Sequence, residues 1–195
     1  MRKQVFLVFF ISIVGLRFFA QAYTPLLNVY NEWKFTTCYF GCIDDKYYTD
    51  GDTLVDGNIY KILDGYHYIS RTFLLREDLL EKKVYIKLAN STLRPNEFLL
   101  YDFSLSVGDS TQIYNPISPF PADAGTFILD SIVARPLEDG NNYRHFYLHP
   151  IDVVQSGTVR PVWIEGVGSL SLINAPGGTP ETVNAVVSEN PLDTA

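Results

Sequence analysis

Apolar and polar residues alternate along much of this chain with the two-residue period of β-strands. The longest such stretch is residues 99–107, where apolar side chains occupy the odd positions. Asp102, Ser104 and Ser106 lie between them, and Leu100 is the one apolar residue at an even position. Because successive side chains of a strand point to opposite faces, the pattern predicts a single strand with one buried face. The residues predicted to face the core are Leu99, Tyr101, Phe103, Leu105 and Val107.

Turn sequences separate the predicted strands at short intervals. Asp56-Gly57-Asn58 lies between residues 53–55 and 59–63, which predicts a hairpin because Gly and Asn adopt positive φ at low cost. Similar hairpins are predicted for 71–77 with 83–88 and for 126–135 with 142–149, and a last strand for 161–164. Helical alternatives at 74–83 and 151–156 lack a combined cap and period. The fold class predicted is all-β, an antiparallel β-sandwich or open barrel with short helical turns at most.

The two ends of the chain have different compositions from its middle. Arg2 and Lys3 precede an apolar run over residues 5–16, and Ala20-Gln21-Ala22 supplies the small–x–small pattern of signal peptidase sites. We therefore expect a signal peptide at 1–22, a single β domain at 23–174 and a flexible C-terminal tail at 175–195. An uncleaved anchor is the alternative, but the run is shorter than the roughly 20 residues that a membrane span needs. No stable membrane span is expected after cleavage.

The net charge of the chain indicates which classes of partner are unfavourable. The chain has 15 basic and 22 acidic residues, and loss of residues 1–22 leaves a net charge of −10. Nucleic acid is a poor partner for such a chain, because its phosphates need clustered Lys and Arg. An anionic membrane surface is disfavoured for the same reason.

Cys38 and Cys42 are the two cysteines of the chain. In an oxidising compartment a closely spaced pair predicts a disulfide, with Gly41 easing the reversal between them. Free thiols are the alternative. A structural zinc site would need further ligands, and no second cysteine pair is present.

Several segments, taken in order, resemble the N-terminal β-rich domain of uncharacterised secreted proteins of Bacteroidota, often cargo of the type IX secretion system. The resemblance covers about residues 45–172 and implies export and a β-rich fold, but no reaction. We expect no counterpart of the C-terminal sorting domain of such cargo, so a truncated or periplasmic variant is the alternative to type IX export. The matching segments are 51–61 (GDTLVDGNIYK), 75–78 (LRED), 83–86 (KVYI), 99–109 (LLYDFSLSVGD) and 163–170 (WIEGVGSL).

A row of alternating Tyr and His residues is a candidate binding surface. Tyr143, His145, Tyr147 and His149 alternate with other residues, so on a strand they would face outward while Phe146 and Leu148 face inward. The predicted binding residues are Tyr143, His145, Tyr147 and Trp163. An ordinary sheet face stabilised by cross-strand aromatic pairs is the alternative. A metal on His145 and His149 is disfavoured, because four residues of strand span about 13 Å.

Acidic residues offer two further hypotheses. Asp44, Asp45, Asp50 and Asp52 could bind Ca²⁺, although solvated turn carboxylates explain them more simply. Glu77 and Glu165 could act as the paired carboxylates of a polysaccharide hydrolase, which stand roughly 5–10 Å apart. A surface ion pair for Glu77 and a backbone hydrogen bond for Glu165 are the simpler expectations.

No Gly-x-Ser-x-Gly nucleophile elbow is present, and no catalytic residue, metal or cofactor is assigned. The function predicted is that of a secreted, periplasmic or cell-surface module that binds an extracellular glycan or protein. An extracellular polysaccharide hydrolase is the alternative.

Overall fold

All regular secondary structure in the described part of the chain is β-strand, which confirms the predicted fold class. The computed structural model describes residues 22–38, 42–65, 71, 73–89, 97–113, 125–151, 161–169 and 183–188. Within these ranges the strands are β1 (Glu32–Cys38), β2 (Cys42–Val55), β3 (Asn58–Gly65), β4 (Phe73–Asp78), β5 (Lys83–Leu88), β6 (Phe98–Asp102), β7 (Ser110–Ile113), β8 (Gly125–Pro136), β9 (Asn142–Pro150), β10 (Val162–Ile164), β11 (Gly168–Ser169) and β12 (Val183–Ser188).

The strands form two curled antiparallel sheets. The first sheet has the order β12-β1-β2-β3-β4-β5-β6, and the second has the order β11-β10-β9-β8-β7. Apart from β12, neighbouring strands in each sheet are consecutive in the chain, as expected for short hairpin connections. β12 lies within the segment predicted as a C-terminal tail and pairs with β1.

The predicted hairpins are present. Asp56 and Gly57 both have positive φ, 51° and 82°, and join β2 to β3 with Val55 opposite Asn58. This is the geometry of a two-residue type I′ turn, whose twist matches that of the flanking strands. Residues 74–83, considered as a helix, instead form the β4–β5 hairpin.

Aromatic side chains fill the space between the sheets. Phe103 lies 5.4 Å from Phe146 and 6.5 Å from Trp163, and Tyr101 lies 5.6 Å from Trp163, measured between ring centroids. All three contacts are edge-on, the arrangement that aromatic quadrupoles favour. Phe146 and Leu148 are buried as predicted. Val84 and Ile86, which alternate with Tyr85 and Lys87 in β5, are buried as well.

The prediction of one strand over residues 99–107 is wrong beyond Asp102. The nearly buried Asp102 carboxylate accepts the Ser104 amide at 2.9 Å, so the chain turns instead of continuing as a strand. Phe103 still reaches the core from this turn, but Val107 is 60% exposed. Residues 103–109 thus become the connection between the two sheets.

Parts of several predictions lie outside the described residues. They are the leader up to residue 21, residues 152–156 of the helical alternative at 151–156, and the tail apart from β12. In the described ranges, the structure contains no helix of the length and apolar character that crossing a membrane requires.

Candidate functional site

The outer face of β9 carries the aromatic row. Tyr143 and Tyr147 are half-buried there, while His145 is 8% exposed. The rings of His145 and Tyr147 are nearly parallel at 20°, with centroids 6.5 Å apart. Nδ1 of His145 lies 3.0 Å from the carbonyl oxygen of Tyr143, which fixes the orientation of the imidazole ring. The row therefore forms an ordered surface on which Tyr143 and Tyr147 are partly accessible, whereas His145, predicted to face outward, is buried.

Polar side chains border this row. The Arg135 guanidinium from β8 lies 5.3 Å from the centre of the Tyr147 ring, within the range of a cation–π contact. The Tyr143 hydroxyl donates to Asp139 at 2.6 Å, which raises the pKa of Tyr143 and lowers the pKa of Asp139. His149 pairs with Asp130 at 2.5 Å at the other end of the row. We call Arg135, Tyr143, His145 and Tyr147 the β9 surface.

Trp163 lies on the opposite side of the second sheet from this surface. Its ring is 3% exposed and packs on Tyr101 and Phe103 in the core. The structure therefore brings together three of the four predicted binding residues, and Trp163 does not share their face. Arg135 was not predicted, since its position opposite Tyr143 depends on the β8–β9 register.

Glu77 binds the beginning of the described chain. One carboxylate oxygen accepts the Tyr23 hydroxyl at 2.5 Å and the Leu26 amide at 2.8 Å, and the other accepts the Leu27 amide at 2.8 Å. Burial, followed by the hydrogen bond to Glu77, raises the pKa of the Tyr23 hydroxyl. Residues 23–27, here called the N-terminal segment, are thereby fixed to β4 of the first sheet.

Glu165 holds the same segment from the second sheet. Its carboxylate is 1% exposed, accepts the Thr24 amide at 2.9 Å and forms an ion pair with Arg144 of β9. The two glutamates considered as a hydrolase pair thus both bind the N-terminal segment. Each already accepts hydrogen bonds from the protein itself, and this arrangement gives the hydrolase alternative no support.

The acids near the cysteines have separate partners. Asp50 pairs with Arg71, and Asp52 pairs with Lys61 at 2.8 Å. Asp44 is exposed, and the side chain of Asp45 lies outside the described set. Within the described residues, no three His, Cys, Asp or Glu side chains are grouped so that they could hold a metal ion.

The cysteines lie at the end of the β1–β2 pair where the two strands are connected. The register sets Cys38 opposite Cys42, the last pair before the connection. Their side chains lie outside the described set, so the disulfide stays a prediction.

Comparison with known proteins identifies no relative. No family model matches the chain, and no curated protein or solved structure matches it.

Proposed function

We propose that this chain is a secreted or cell-surface binding module and that the β9 surface recognises an extracellular glycan. The observation that carries the proposal is the half-buried Tyr147 ring, which has the His145 ring nearly parallel to it and the Arg135 guanidinium 5.3 Å from its centre on one outer sheet face. A ring whose position is fixed by such neighbours loses little side-chain entropy when a ligand packs on it. The adjacent guanidinium and phenol offer hydrogen-bond donors to hydroxyl or carboxylate groups.

The test is binding of the purified protein to an array of extracellular glycans, followed by calorimetry with the best ligand. Tyr147→Ala is expected to weaken binding about tenfold or more, which corresponds to about 1.4 kcal/mol. Tyr85→Ala is the matched control, because Tyr85 also carries an arginine, Arg76, 4.5 Å from its ring centre, but lies in the first sheet.

Equal weakening by both substitutions would contradict a site at the β9 surface. An array without any bound glycan would overturn the glycan assignment. If the protein instead captures a protein ligand, and Tyr147→Ala abolishes that capture, the β9 surface is the binding site but its ligand is a protein and not a glycan.

Export is the second part of the proposal. Arg2, Lys3 and the Ala20-Gln21-Ala22 motif support cleavage after Ala22, and the resemblance to secreted Bacteroidota domains points the same way. An oxidising destination would allow Cys38 and Cys42 to form a disulfide. Mass spectrometry of the protein from its native host would test both features, by the first residue and by the mass added on alkylation with and without reduction.

A further inference from the structure

The N-terminal segment joins the two sheets at a cluster with unequal charge. Glu77 and Glu165 approach the segment from opposite sheets, and Arg144 is the cation paired with Glu165. Glu77 has three neutral hydrogen-bond donors among the described residues: the Tyr23 hydroxyl and the Leu26 and Leu27 amides. With both carboxylates ionised, the cluster has one more negative than positive charge.

The predicted cleavage site lies at this cluster. Cleavage after Ala22 would make Tyr23 the first residue and convert its backbone nitrogen from a neutral amide into an ammonium. The Thr24 nitrogen is 2.9 Å from a Glu165 oxygen. Since consecutive backbone nitrogens are at most about 3.6 Å apart, the Tyr23 nitrogen lies within about 6.5 Å of that oxygen.

We propose that removal of the leader completes the fold electrostatically: the new Tyr23 ammonium pairs with the Glu165–Glu77 cluster and balances its charge. An opposite charge within about 4–6 Å stabilises an ionised group. The charged groups of the cluster are Glu165, whose oxygen the Thr24 amide contacts, its partner Arg144, and Glu77, which the Tyr23 hydroxyl contacts. Ala22 is exposed, so the bond to be cut is at the surface and the ammonium stays partly hydrated. A precursor that keeps its leader lacks this ion pair and is less stable than the mature protein.

The inference rests on the export part of the proposed function and is independent of the glycan site. Its test compares two proteins covering residues 23–195, one with a free amine on Tyr23 and one with the same nitrogen acetylated. The acetyl group replaces the carbonyl that Ala22 supplies in the precursor, so the acetylated protein keeps the precursor's neutral amide, whereas the free-amine protein carries the ammonium.

At pH 6.5 the free-amine protein is expected to have a Tm about 2–4 °C higher, the shift that about 1 kcal/mol gives a domain of this size. Its carboxylate partners raise the pKa of the amine above the unfolded value of about 7.7–8.0. The added stability is therefore complete below that value and is lost as pH rises through the higher folded-state pKa. Both proteins should have the same Tm near pH 10.5, since tyrosine ionisation affects them equally.

The matched variant is Glu165→Gln, which removes the excess negative charge and should shrink the difference between the two proteins to about 1 °C or less. If this variant does not fold, Glu77→Gln makes the same test. The comparison of the free-amine and acetylated proteins at the two pH values tests the ion pair without either substitution. Equal Tm values at pH 6.5, or a difference that persists at pH 10.5, would overturn the ion pair. A first residue other than Tyr23 in the native protein would overturn the cleavage, and neither result concerns glycan binding.

Discussion

Glu77 and Glu165 have the same chemical type but different surroundings. Glu77 is half-buried and accepts three hydrogen bonds from the N-terminal segment, whereas Glu165 is fully buried and divides its oxygens between the Thr24 amide and Arg144. Hydrogen bonds to a charged acceptor are about twice as strong as neutral ones. At the residue scale, these two carboxylates are therefore the main polar attachment of residues 23–27.

Glu77→Gln is expected to destabilise the protein by about 2–3 kcal/mol. The amide keeps one acceptor oxygen but turns its NH₂ group toward a backbone N–H, so at least one donor is left without an acceptor. Urea unfolding at pH 7 measures the effect. Glu81→Gln is the control, because Glu81 is exposed and its contact with Lys83 at 3.3 Å should contribute no more than about 0.5 kcal/mol. Similar losses in both variants would show that Glu77 is not an attachment point.

At the scale of elements, two glycines of the first sheet are required for different physical reasons. Gly57 has φ of +82° and open space around it, so its requirement is conformational. Gly65 pairs with Tyr47 of β2, and a Cβ there would lie 2.5 Å from the Lys46 carbonyl oxygen. Its requirement is steric.

Gly57→Ala should therefore cost about 1–2 kcal/mol, and Gly57→Asn much less, because Asn tolerates positive φ. At Gly65 neither Ala nor Asn fits without moving the β2 backbone, so both should cost more than Gly57→Ala. Thermal unfolding of the four variants gives the comparison. Equal tolerance of Asn at the two positions would contradict the distinction.

The strands and hairpins also differ in how far the local sequence pattern determines them. Asp56-Gly57 and the alternation in β5 are local, and the hairpins they predict are present. The strand predicted over residues 99–107 ends early because the Asp102 side chain competes for a backbone amide that the alternating pattern assigns to the sheet. The alternating pattern depends only on which positions are apolar, so it does not predict a hydrogen bond from a side chain to the backbone.

The candidate sites also differ in how far the sequence predicts them, because only contacts within one strand follow a local pattern. Tyr143, His145 and Tyr147 share a face because of spacing within one strand, which the sequence contains. The contacts of Glu77 and Glu165 with the N-terminal segment join residues 50 to 141 positions apart. Such contacts depend on how the two sheets meet, and one sequence holds no local pattern for that.

At the scale of the whole molecule, the sheets are linked by hydrogen bonds as well as by the core. The Trp33 indole of β1 donates to the Val167 carbonyl oxygen at 2.9 Å, and the Ser169 amide donates to the Tyr101 hydroxyl at 3.2 Å. Burial raises the pKa of Tyr101, which keeps its hydroxyl neutral. The N-terminal segment adds a further link, since Glu77 lies in β4 of the first sheet and Glu165 lies in the turn after β10 of the second. Separation of the sheets would leave several buried polar groups without partners at once.

This coupling predicts that the two sheets unfold in one transition. The chain has two tryptophans, and the structure places Trp33 in the first sheet and Trp163 in the second. Trp163→Phe therefore leaves a fluorescent reporter of the first sheet, and Trp33→Phe leaves a reporter of the second. In each variant the urea midpoint from fluorescence should equal the midpoint from circular dichroism, the behaviour of a two-state domain. A fluorescence transition that precedes the dichroism transition in one variant would mean that the sheet carrying its tryptophan separates first, and that the links through Glu77 and Glu165 are too weak to hold the sheets together.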